Sequence, residues 1–147
     1  MNPDFKDMLS AFIKENVEFL LVGAYALSAH GHPRATGDLD LWVHNTSENA
    51  YRIWNALLAF KAPLGRIKPE DFQDPDLVFQ IGVVPSRIDI LTHIDGVLFK
   101  DAWQSRITIE LYNMSIPVIS KACLIQNKKA TDRPRDKVDV MMLESDL

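Results

Sequence analysis

The sequence predicts an α+β fold, a mixed β-sheet flanked by helices with further helices at the carboxyl-terminal end, and three observations carry that expectation. Segments with helical apolar spacing alternate with short β-rich runs. The first β-rich run stops at Gly23 and leads into helix-forming residues. Two later runs, Asp38–Val43 and Arg87–Leu91, interleave aspartates with Leu and Ile, as in strands buried on one face. A sheet with helices packed against it buries all of these apolar faces.

The elements follow in order. Asn2-Pro3 supplies a cap and a proline at the first helical position, and Phe5, Met8, Leu9, Phe12 and Ile13 recur at helical spacing to about Asn16. Glu18–Val22 reads as a buried strand, 24–30 as a helix and 31–37, with Pro33 and two glycines, as a loop. After the strand at 38–43, Thr46 or Ser47 caps a helix whose expected apolar face is Tyr51, Trp54, Leu57 and Leu58. Residues 63–76, with three prolines, read as irregular. Residues 77–84 and 87–91, separated by Pro85-Ser86, read as a hairpin-like strand pair, and 107–112 as a further strand. Ser120 and Arg133-Pro134 open two closing helices, with Leu124, Ile125, Val138, Met141 and Met142 as expected apolar contacts. With 147 residues and neither linker nor repeat, residues 1–147 read as one domain.

Composition narrows the function classes. Hydrophobic residues at 47% and charged residues at 24% exclude a disordered or fibrous chain, and no apolar run approaches the ~20 residues of a membrane span. The start Met1–Asp7 lacks the basic and apolar parts of an export signal, and the one cysteine, Cys123, has no internal partner. A cytoplasmic protein is expected. The net charge of −4 argues against a generic polyanion coat, although residues 121–137 carry six cations against two aspartates.

Strand alternation puts Leu39, Leu41 and Val43 on one face and Asp38 and Asp40 on the other. Two such anions ~7 Å apart at Cα repel, and solvent, a proton or a cation must relieve them. Hard oxygen ligands suit magnesium, which takes one or two protein carboxylates and completes its shell with water and phosphate. Asp89 repeats the parity and offers a third carboxylate. The plainer alternative is a solvent-facing sheet on which Asp89 pairs with Arg87. Gly23 and Ala24, at a strand-to-helix junction 15 residues before Asp38, favour the functional reading, because backbone N–H groups there can face phosphate.

These residues resemble the nucleotidyltransferase superfamily related to DNA polymerase beta: a strand, a small-residue pair, a helix, then Asp-x-Asp on the next strand. The stretches Phe19–Ala26 and His30–Val43, Arg87–Leu91, and Leu124–Ala130 with Arg133 and Asp136 are similar to small bacterial proteins grouped with abortive-infection nucleotidyltransferase toxins. The similarity spans residues 17–142. It implies a nucleotidyltransferase fold in which Gly23 and Ala24 contact a triphosphate, Asp38 and Asp40 hold one or two Mg2+ ions, and Asp89 binds metal and helps activate the acceptor. Ala24 stands where many relatives carry serine.

Other side chains have two readings each. Lys121 and Lys128, seven apart on one helix, can reach phosphate or form a solvated basic face. Arg34 can clamp phosphate or neutralise Asp38 and Asp40. His30 and His32 read as loop-ordering residues, and Trp42, Trp54 and Trp103 as packing groups. The function expected is magnesium-dependent transfer of a nucleoside monophosphate from an NTP to a hydroxyl of RNA, protein or a small molecule, in company with a toxin–antitoxin or phage-defence partner protein. A catalytically weak NTP-binding or protein-interaction module and a metal-dependent nuclease are the alternatives.

Overall fold

The computed structural model describes residues 2–33 and 37–146. Its elements are α1 (Pro3–Lys14), β1 (Phe19–Val22), α2 (Gly23–Ala29), β2 (Leu39–Val43), α3 (Ser47–Phe60), a 3-10 turn (Pro69–Gln73), β3 (Val78–Ile81), β4 (Ile88–Leu91), α4 (Phe99–Gln104), β5 (Ile107–Leu111), β6 (Met114–Val118), α5 (Lys121–Thr131) and α6 (Pro134–Glu144). The strands form one mixed sheet in the order β3-β4-β2-β1-β6-β5. This is the α+β architecture expected. No helix among the described residues is long and apolar enough to cross a membrane.

Capping chemistry sets the helix starts. The Asn2 side chain accepts from Asp4 N at 2.8 Å, Thr46 Oγ1 from Asn49 N at 3.2 Å and Ser120 Oγ from Cys123 N at 3.2 Å. Pro3 and Pro134 occupy first-turn positions, where the missing N–H costs nothing. The central strands β1 and β2 are buried almost throughout, and Phe12, Phe19, Leu21, Leu41 and Trp42 are among the largest enclosed side chains. Trp42 meets Phe99 edge to face at 5.0 Å between centroids, which fits its expected packing role.

Four expectations need correction. Tyr51 and Leu58 are exposed, and the inner face of α3 is formed by Ala50, Ile53, Ala56 and Leu57, one position off the expected stripe. On α6, Val138 and Met141 face outward while Val140 and Leu143 are buried. Residues 63–76 contain the 3-10 turn, which buries Phe72. Neither α4 nor β6 was expected. Proline at 117 argues against a strand, yet β6 is tolerated because the register pair it makes with β1, Leu21 with Val118, falls just after Pro117.

Candidate active site

The register of three strands assembles the carboxylates. β1 and β2 are antiparallel, with Val22 opposite Asp40, while β2 and β4 are parallel, with Asp40 opposite Asp89. Asp40 therefore lies between the β1–α2 junction and Asp89. Asp38 stands two residues earlier on the same side, at the mouth of β2.

Gly23 completes this junction and must be glycine. Its φ is +68°, a left-handed conformation that side chains rarely adopt, and a β-carbon there would collide with the Asp40 carboxylate. The missing side chain is the space in which the carboxylate sits. Ala24 follows in the first turn of α2.

Arg87 organises the other two aspartates. Its Nε donates to Asp89 Oδ1 at 2.7 Å and its Nη2 to Asp89 Oδ2 at 3.1 Å. The same Nη2 lies 3.2 Å from Asp38 Oδ2, and the Arg87 backbone N–H donates to Asp38 Oδ1 at 3.3 Å. Two carboxylates thus share one guanidinium, whose own pKa is raised, chiefly through the hydrogen bond to Asp89. The pairing of Asp89 with Arg87 is real, but it is no surface bridge, since Asp89 is only 7% exposed. Sequence reasoning treated Arg87 as a rival explanation for Asp89 and missed it as a member of the site.

Asp40 carries the electrostatic cost. Burial first, then the Asp89 charge, a hydrogen bond shared with Asp89 and the Asp38 charge push its pKa up to about 7, and Arg87 offsets only part of this. Among the described residues no three His, Cys, Asp or Glu side chains form a ready cation cage, and Arg87 already holds Asp38 and Asp89. The donor set nonetheless fits a hard cation. Asp40 is an anion short of positive charge, its carboxylate lies against the Gly23 turn, and one or two carboxylates suffice for magnesium.

The remaining expected residues are placed differently. Arg34 lies outside the described residues. His30 Nε2 bonds the Ile119 carbonyl at 2.8 Å and His32 Nε2 bonds Asp146 at 2.5 Å, so both order the loop after α2. Lys121 Nζ lies 3.2 Å from Asp146. Lys128 is neither a solvated cation nor free to reach phosphate: it is 8% exposed, with Nζ 3.1 Å from Asp139 and 3.6 Å from Asp136. Most of the basic stretch 121–137 is internally answered, with Lys129 paired to Glu144, Arg133 to Asp136 and Lys137 to Asp132. Counting charge only to residue 137 left out Asp139, Glu144 and Asp146, which close the pairs.

Within this cluster burial disfavours the charged form of Asp136, but hydrogen bonds from the Arg133 side chain, Thr131 and the Arg133 backbone outweigh it and hold the carboxyl below its usual range. Lys128→Met is expected to cost about 3 kcal/mol, because it removes the buried cation that faces Asp139 and Asp136, and to leave NTP binding unchanged. Thermal unfolding and calorimetry on one preparation check both halves; weakened NTP binding in a well-folded variant would return Lys128 to the site.

No protein-family model matches the sequence, and no curated protein matches it. Solved structures do. A Thermotoga maritima protein with a provisional assignment as a nucleotidyltransferase superposes with a TM-score of 0.62 at 16% identity, covering 97% of this chain and 91% of its own. The lincosamide antibiotic adenylyltransferase LnuA, in its lincomycin-bound form, superposes with a TM-score of 0.62 at 14% identity, covering 99% of this chain and 97% of its own. At such identities the likeness speaks for architecture alone. The chain has the nucleotidyltransferase fold.

Proposed function

We propose that this protein is a magnesium-dependent nucleotidyltransferase that moves a nucleoside monophosphate from an NTP to an acceptor hydroxyl. The observation that carries the reading is the register placing Asp40 beside Asp89 and against Gly23, with Asp38 at the strand mouth. Residues 49 apart in sequence thereby form one oxygen-donor group next to a backbone turn that a side chain could not enter.

Asp38 and Asp40 would hold the metal, which when bound would supply Lewis acidity toward the phosphate and charge neutralisation for the departing pyrophosphate. The Gly23 and Ala24 backbone lies alongside the phosphates. Asp89 orients the acceptor hydroxyl and receives its proton as the acceptor oxygen bonds to the α-phosphorus and the bond to the bridging oxygen of pyrophosphate breaks. Arg87 keeps the Asp89 carboxylate aimed in one direction through its two parallel hydrogen bonds.

LnuA is named for adenylyl transfer to an antibiotic, which supports AMP as the transferred group and a small-molecule hydroxyl as one acceptor. The resemblance to abortive-infection proteins supports RNA or protein acceptors and a toxin–antitoxin or phage-defence partner. A second reading, an NTP-binding module without transfer, draws on the hold Arg87 has on Asp38 and Asp89. Calorimetry tests the site itself: Mg2+-dependent ATP binding is expected in the wild type and lost in Asp38→Asn/Asp40→Asn. Equal magnesium-dependent affinity in both proteins would remove the carboxylates from the site.

A further inference from the structure

The two lysines of α5 that sequence spacing treated as equivalent are held in opposite ways. Lys128 is locked in a buried pair of aspartates, whereas Lys121 shares one carboxylate oxygen with a histidine from a different element. His32 Nε2 lies 2.5 Å and Lys121 Nζ 3.2 Å from the same Asp146 Oδ2. A carboxylate only accepts, so both nitrogens donate to it. The three side chains remain partly exposed, at 20%, 27% and 34% for His32, Lys121 and Asp146, so opening the contact uncovers no buried charge. Asp146 responds as a bound anion does: the hydrogen bonds from His32 and then Lys121 hold its carboxyl below the usual range.

The position of this pair matters more than its strength. Ile119 N donates to Leu21 O, so the chain leaving β6 runs beside the end of β1 that leads into Gly23, and His30 pins the same turn through the Ile119 carbonyl. β6 lies two strands from β2, a lateral separation of about 10 Å. Lys121, three residues beyond Val118, therefore starts α5 at the same sheet end as the carboxylates.

We propose that His32 and Lys121 form an anion subsite for the polyphosphate end of the nucleotide, and that the Asp146 carboxylate fills it as an internal, displaceable occupant. The proposal rests on the nucleotidyl-transfer reading for the identity of its ligand. Nucleotide loading exchanges the Asp146 carboxylate for phosphate oxygens on the same two donors, so residues 144–146 act as a plug that weakens NTP binding until it is released. Its geometry involves neither the metal nor Asp38, Asp40 and Asp89.

That independence sets the test. Binding of inorganic tripolyphosphate is measured by calorimetry at low salt without magnesium, for wild type, Asp146→Asn, Asp146→Asn/Lys121→Gln and Asp146→Asn/His32→Ala, with circular dichroism confirming equal fold. Asp146→Asn is expected to bind about fivefold more tightly than wild type, the upper range for releasing an exposed ion pair, and each second substitution to return affinity to the wild-type level or below. Unchanged affinity in Asp146→Asn, or a gain that survives both second substitutions, overturns the subsite. Mg2+-ATP binding that depends on Asp38 and Asp40 without any Asp146→Asn effect overturns this inference alone. A tripolyphosphate gain in a protein that shows no Mg2+-ATP binding supports the anion subsite and overturns the nucleotidyl-transfer reading.

Discussion

Asp40→Asn is expected to raise the melting temperature of the metal-free protein at pH 8 while abolishing Mg2+-dependent ATP binding. The folded Asp40 carboxyl titrates near pH 7 against an ordinary value of 3.8, so between those limits the folded state holds a proton that the unfolded state has released. Stability conferred by that proton is complete below about pH 4, falls as pH rises and is gone above the folded value. Asparagine does not titrate. The advantage of the variant is therefore small at pH 4, grows to pH 7 and stays level beyond it. A displacement of that size corresponds to about 4 kcal/mol, and with Asp40 still partly reached by solvent a realised gain of about 2–4 kcal/mol is expected. For a chain of this size that is roughly 5–15 °C. Added magnesium should raise the melting temperature of the wild type and not of the variant. Thermal unfolding from pH 4 to 8 checks the sign, and an equal or lower melting temperature for the variant at pH 8 contradicts the account of Asp40.

The second large effect concerns rate. Asp89→Asn should lower single-turnover transfer about 10³-fold, the scale of a lost general base, and leave most of the ATP affinity intact, since Asp38 and Asp40 remain. An interaction made mainly in the transition state reduces rate without a matching loss of ground-state binding. Asparagine keeps one oxygen to accept from Arg87, and its neutrality relieves Asp40, so melting should shift by only a few degrees. Transfer at the wild-type rate by a protein with that small shift would leave Asp89 as a structural partner of Arg87 only.

What the sequence disclosed and what it hid follow from the range of the interactions. Asp38 and Asp40 on one side of β2, and glycine at the β1–α2 junction, are local consequences of strand alternation and of φ, and they were legible. The pairing of Asp40 with Asp89 was not. It depends on a parallel register between strands 49 residues apart, for which parity gave only the correct face. Arg87 was visible as a neighbour of Asp89, but its reach to Asp38 exists only once β2 and β4 lie side by side. Lys128 was misread for a similar reason, because its anions sit on α6, beyond one turn of its own helix. Asn49 gave no signal at all. Buried at 1% exposure, it accepts from Glu18 N at 2.7 Å and donates to the carbonyls of Glu18 and His44, tying α3 to the one end of the β1–β2 pair where β1 begins and β2 finishes. Tyr51 and Leu58 show the converse, apolar residues at plausible helical spacing that the α1–α3 packing leaves outside.

Label transfer tests the central claim most directly. The purified protein is incubated with magnesium, cell extract and each NTP labelled at the α-phosphate, beside Asp38→Asn/Asp40→Asn. Nucleotidyl transfer predicts label covalently attached to an acceptor with stoichiometric pyrophosphate release, for at least one NTP, in the wild type and not in the double variant. NTP bound in a magnesium-dependent manner with no labelled acceptor and no pyrophosphate, or labelling that persists undiminished in the double variant, would contradict it.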